Sequence, residues 1–119
     1  MAKVLLADDI SFIKMVQRDI LEKAGYEIVG EATDGKEAVE KYIKLKPDVV
    51  IMDITMPKMD GLNAIKLIRK HDPSARIIVC SALGQHKLII EAVKAGVKDF
   101  VVKPFEPERL LKAIEKALS

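Results

Sequence analysis

Five side chains carry the chemistry this sequence offers: Asp8, Asp9, Asp53, Ser81 and Lys103. Asp8-Asp9 follows the short apolar run Lys3–Ala7, and Asp53 follows Asp48–Met52. Ser81 follows Arg76–Cys80, and Lys103-Pro104 follows Lys98–Val102. If these runs lie side by side, three carboxylates meet in one crevice, and two like charges about 4 Å apart repel by about 4 kcal/mol at an effective dielectric of ~20. A shared proton or a bound cation must offset that. Oxygen donors alone favour a hard divalent ion such as Mg²⁺, and no His or Cys is placed to favour zinc. Lys103 adds a fixed positive charge and Ser81 a neutral donor, both suited to phosphate oxygens. The set predicts phosphoryl transfer to a carboxylate nucleophile, with metal and ammonium positioning the donor and neutralising its charge. Singly, an Asp after a strand is a turn residue or helix cap, Ser81 a loop hydroxyl and Lys103 a surface charge. Their joint occurrence at one edge is what points to a site.

The elements that must position them are legible as alternation. Five β-branched runs, the four above and Glu27–Glu31, are separated by stretches of helical spacing. Phe12, Ile13, Val16, Ile20 and Leu21 form one apolar stripe, and Ala38, Tyr42 and Leu45 a second. Ala64, Ile65 and Ile68 form a third, and Leu110, Leu111, Ile114 and Leu118 the last. Ser11 is placed to cap the first helix and Gly25 to stop it, while Asp34-Gly35 and Asp60-Gly61 open the second and third. Pro47, Asp72-Pro73 and Gly96 mark exits, and Pro107 suits a first helical turn. Strictly alternating strand and helix predicts an α/β fold, a doubly wound five-stranded parallel sheet, with ligands beyond the strands' carboxyl ends.

Composition narrows the function classes. With 119 residues the chain reads as one domain, 1–119. A single cysteine, Cys80, excludes an internal disulfide, and no apolar run approaches a membrane span. The absence of a signal-peptide pattern points to a cytoplasmic protein. A net charge of +2, no Trp and lysines interleaved with glutamates argue against nucleic acid as a partner. His71 and His86 are expected to face solvent, and Cys80 to be a small buried hydrophobe.

The residues also match a family. Asp8-Asp9, Asp53 followed by Ile-Thr-Met-Pro-Lys-Met-Asp-Gly, Ser81-Ala82 and Lys103-Pro104 resemble the receiver domain of two-component response regulators, from about Lys3 to Leu118. Segments such as Cys80-Ser81-Ala82-Leu83-Gly84-Gln85 and Lys98-Asp99-Phe100-Val101-Val102-Lys103-Pro104-Phe105 are similar to its stand-alone chemotaxis regulators. The resemblance implies the strand order 2-1-3-4-5, with Asp53 the phospho-acceptor and a histidine kinase the donor. It implies Mg²⁺ held by Asp8, Asp9, Asp53 and the backbone carbonyl of Thr55. Ser81 and Lys103 would meet the phosphoryl group, the Lys103-Pro104 bond would be cis, and Phe100 would be the switch aromatic. Implied partners are a flagellar motor-switch or adaptor protein and a phosphatase, with the protein itself a monomer that catalyses only its own phosphoryl transfer and dephosphorylation. A receiver cut from a larger regulator with a DNA-binding output domain is the alternative.

Two other classes fit less well. A haloacid-dehalogenase-type phosphatase needs Asp-x-Asp where this chain has Asp53-Ile54-Thr55, and Asp8-Asp9 would repel the phosphate of a flavodoxin-type flavin. On the fourth helical stretch Leu88, Ile89, Ala92 and Ala95 form the inward stripe, leaving Ile90 outward as a candidate partner contact beside Phe100.

Overall fold

The computed structural model describes residues 1–119. Five strands, β1 (Lys3–Ala7), β2 (Glu27–Ala32), β3 (Val49–Asp53), β4 (Ile77–Ser81) and β5 (Asp99–Val102), alternate with five helices. The helices are α1 (Ser11–Lys23), α2 (Gly35–Leu45), α3 (Gly61–His71), α4 (His86–Lys94) and α5 (Pro107–Leu118). All strand pairs are parallel, as expected from the alternation, and the order is β2-β1-β3-β4-β5, as the family resemblance implies.

Every residue of β3 and β4 is buried, as strands covered on both faces require. Alternate residues feed two cores. Leu5, Val50, Met52, Ile77 and Val79 pack with Tyr42, Ile65 and Ile68 under α2 and α3. Val4, Leu6, Ile51 and Ile78 pack on the other face with Leu21, Leu110 and Ile114 of α1 and α5. Each fully buried aliphatic of this size contributes about 1.5–3 kcal/mol, so the sheet is a stiff platform for whatever its ends carry.

Three expectations change. Asp53 and Ser81 are the last residues of β3 and β4, not the first beyond them, because the ladder continues one step through Asp53 opposite Cys80 and Ser81 opposite Val102. Ser11 does not cap α1: the N-cap is Ile10, which has no side-chain cap bond, and the Ile10 N–H is taken by Asp8 Oδ1 at 2.9 Å. Phe12 does not join the inward stripe; it is exposed, as is Met15, and α1 turns Lys14, Gln17 and Leu21 inward. The same rotation buries Lys14. Its Nζ lies 3.5 Å from the Ala32 carbonyl, which also accepts the Asp8 N–H at 3.0 Å. At its N-terminal half α1 faces polar strand ends, and only long polar side chains reach acceptors there.

Candidate functional site

The carboxyl ends of β1, β3, β4 and β5 converge on one crevice. From β1 come Asp8, fully buried, and Asp9, exposed. Asp53 ends β3 with its side chain 6 % exposed. Carboxylate oxygens of Asp8, Asp9 and Asp53 all lie within 4.8 Å of one another. Lys103, after β5, donates from Nζ to Asp8 Oδ2 at 2.8 Å and stands 3.4 Å from Asp53 Oδ1. Its main-chain N–H donates to the Ser81 carbonyl at 2.8 Å, and the Lys103-Pro104 peptide is cis.

The charges are unevenly placed. Burial, then the Asp8 charge, push the Asp53 carboxyl up to about 6, while Lys103 and the Thr55 backbone pull the other way. Burial alone would lower the Lys103 ammonium; the hydrogen bond to Asp8 and the negative charges of Asp53 and Asp8 outweigh it and hold its pKa above the ordinary value. One ammonium among three carboxylates leaves a net negative cradle of oxygen donors. The donor set fits a small hard cation: carboxylates only, clustered, with Asp9 open to water for the solvent ligands that Mg²⁺ keeps.

The Ser81 hydroxyl is fully buried and has no hydrogen-bond partner. A buried unpaired hydroxyl costs about 1–3 kcal/mol, so a ligand oxygen that accepted from it would recover that cost. Behind it Cys80 is buried in the apolar core, its thiol pushed up to about 12 by that burial, with Sγ 3.7 Å from Gln17 Nε2. Thr55 lies in the exposed loop after Asp53, beside the cluster.

Phe100 and Ile90 are brought together, away from the acids. Both line an apolar groove of about 450 Å³ between α4 and β5, with Ile89, Val93 and Val102. Ile90 is 54 % and Phe100 38 % exposed. Asp99 and Arg109 brace the groove's edge through paired bonds of 3.1 Å. Reading α4 by its inward stripe alone missed Val93, 52 % exposed one turn from Ile89, which its apolar character and spacing could have revealed. Lys14 was also missed, since a lone lysine in a mixed-charge helix carries no signal of burial.

The model of the response regulator receiver domain matches residues 4–115. The chemotaxis protein CheY of Thermotoga maritima is 61% identical over 114 residues, 96% of this chain and 95% of that protein. The chemotaxis protein CheY of Bacillus subtilis is 53% identical over 117 residues, 98% of each chain. Among solved structures, a CheX–CheY–BeF₃–Mg²⁺ complex from Borrelia burgdorferi contains a chain with TM-score 0.94 and 37% identity, covering 99% of this chain and 90% of that one. An acidic cluster at the carboxyl ends of a 2-1-3-4-5 sheet, a lysine set among its carboxylates and a family match across nearly the full length lead to one conclusion: this chain belongs to the response-regulator receiver domain family.

Proposed function

We propose that this protein is a phosphorylation-dependent switch whose phospho-acceptor is Asp53, supplied by a histidine kinase of a chemotaxis system. The observation that supports this most directly is the Lys103 ammonium between Asp8 and Asp53, 2.8 and 3.4 Å away, with the unpartnered Ser81 hydroxyl at the end of the adjacent strand β4. An Asp53 carboxylate oxygen attacks phosphorus, an O–P bond forms, and the bond from phosphorus to the donor imidazole nitrogen breaks, the electron pair leaving with that nitrogen. Asp53 attacks as the carboxylate, the form that a bound cation would favour. Lys103 is placed to follow the charge from the carboxylate to the phosphoryl oxygens, and Ser81 to donate to one of them. Mg²⁺, held by Asp8, Asp9, Asp53 and the Thr55 carbonyl, supplies charge neutralisation when bound.

The phosphoryl group adds up to two negative charges beside Ser81 and Lys103. Shifting a two-state element from 1:99 to 99:1 takes about 5.5 kcal/mol, which a few charge-assisted hydrogen bonds of about 1.5–3 kcal/mol each supply. Ser81 and Phe100 sit on adjacent strands, so a Ser81 displacement bears on the groove that Phe100 and Ile90 line. We further propose a stand-alone regulator, in keeping with two chemotaxis relatives matched over 95% and 98% of their own lengths, and a flagellar motor-switch or adaptor protein as its output partner.

Mass spectrometry after incubation with acetyl phosphate and Mg²⁺ tests the acceptor. Wild type gains one phosphate, about 80 Da, and Asp53→Asn gains none. An equal gain in the variant would move the acceptor elsewhere, and no gain in either would remove the phosphoryl reading.

A further inference from the structure

The loop between β3 and α3, residues 54–60, has its main chain pressed at both ends by glycines. At its far end the Gly61 N–H donates to the Ile54 carbonyl at 2.9 Å, and a Cβ on Gly61 would come within 1.9 Å of the Asp53 carbonyl oxygen. The second contact comes from another element. Gly35, the first residue of α2, donates its N–H to the Met59 carbonyl at 2.9 Å, and a Cβ there would lie 2.0 Å from that oxygen and 2.7 Å from its carbon. Next to Gly35, Asp34 caps α2 by accepting from the Glu37 N–H at 2.8 Å, while its other oxygen faces Lys58 Nζ at 3.7 Å. Lys58 itself is in the left-handed region at φ 66°, which a lysine adopts only when its surroundings hold it there.

We propose that the N-terminus of α2, with Gly35 at its centre, is a latch that positions the cation-binding side of the site through Met59. The proposal rests on the reading above in which the Thr55 carbonyl joins Asp8, Asp9 and Asp53 around Mg²⁺. A carboxylate ligand adjusts by rotating its side chain; a main-chain carbonyl has no such freedom, and its place is the path of the loop. Any side chain at Gly35 must drive Met59 back by about 1 Å, since real Cβ atoms do not approach a neighbour closer than 3.0 Å. Metal–ligand distances tolerate only about 0.2 Å, and Mg²⁺ is the stricter of the common hard ions. Gly35 thus acts on the cation without touching it.

The test titrates Mn²⁺, which takes the same oxygen-rich octahedral coordination, into wild type, Gly35→Ala, Asp34→Asn and Gly30→Ala, following free Mn²⁺ by electron paramagnetic resonance, with metal-free melting temperatures alongside. Gly30→Ala is the comparison for packing damage alone: on β2, away from the loop, its Cβ meets side-chain ends only, Leu45 Cδ1 at 2.7 Å, Leu5 Cδ1 at 3.4 Å and Lys41 Cδ at 4.0 Å. Gly35→Ala weakens Mn²⁺ binding about tenfold or more. Asp34→Asn keeps the cap, loses the charge facing Lys58, and weakens binding less; it decides the matter if Gly35→Ala does not fold. Gly30→Ala melts lower and binds as wild type does. Wild-type affinity in Gly35→Ala, or in Asp34→Asn where that variant must decide, overturns the latch, as does an equal loss in Gly30→Ala. Wild type that takes up no Mn²⁺ brings down the cation reading itself, an outcome distinct from the others.

Discussion

Asp53 carries opposing demands, a buried seat and a charge, and the balance can be measured. Burial and Asp8 hold its carboxyl near 6, against ~3.9 in an unfolded chain. Between those values the folded protein keeps a proton that the unfolded chain releases, so this group's contribution to stability falls as pH rises through the window and stays low above it. Asp53→Asn removes that penalty. Urea denaturation without divalent cations is expected to show the variant more stable by about 1–3 kcal/mol at pH 7, with the gain gone below about pH 4. Equal stability at pH 7 would mean that the acid is not held in this environment. Lys103→Met takes away the one cation that lowers the Asp53 pKa and leaves Asp8 buried without its partner. Its carboxyl titration, followed by NMR, moves above that of wild type, and stability drops by about 3–5 kcal/mol at neutral pH. The identities of these residues were legible in the sequence because all five stand at the ends of predicted strands. Their inequality was not: Asp8 and Asp9 are neighbours in the chain and share one crevice, yet one is sealed at its floor and the other open at its mouth.

Helix starts show what element-level reading captures. Asp34 and Asp60 each accept from the amide three residues on, at 2.8 Å, as their type and place before glycine led one to expect. Ser11 fails in that role because the chain enters α1 one residue earlier: Ser11 is already helical, and the Lys14 amide that it would need donates to the Ile10 carbonyl at 3.3 Å. Asp34→Ala is therefore expected to cost about 1–2 kcal/mol in urea denaturation. Ser11→Ala should stay within about 0.5 kcal/mol, and a loss as large as that of Asp34→Ala would restore Ser11 as a cap. The rotation of α1 was illegible for a related reason. Apolar periodicity finds a stripe, but Lys14 and Gln17 turn inward because strand-end acceptors, unseen in the sequence, await them. The latch from α2 to the β3–α3 loop was hidden too, since it rests on a main-chain bond between Gly35 and Met59, 24 residues apart, that no side-chain type announces.

Across the whole molecule, strand order was legible while the surface was only partly so. Alternation makes the strands parallel, while the family resemblance supplies their order and so which loops share a crevice. The groove between α4 and β5 needs the packed helix, and only Ile90 and Phe100 were visible in advance. If that groove receives the output partner, Ile90→Asp weakens binding to the motor-switch or adaptor protein about tenfold to a hundredfold, while acetyl-phosphate labelling of Asp53 is unchanged. Loss of both would mean that the substitution damages the fold. The two cores on opposite faces of the sheet carry a last consequence. β1, β3 and β4 are shielded above and below and flanked on each side by another strand, whereas β2 and β5 each leave one flank unpaired. Deuterium from solvent should thus enter the backbone amides of the outer strands first and those of the middle three last, some only on global unfolding. Asp8 and Asp53 extend from this slowest-exchanging part of the protein, so the acids hold their spacing while the flanking loops breathe.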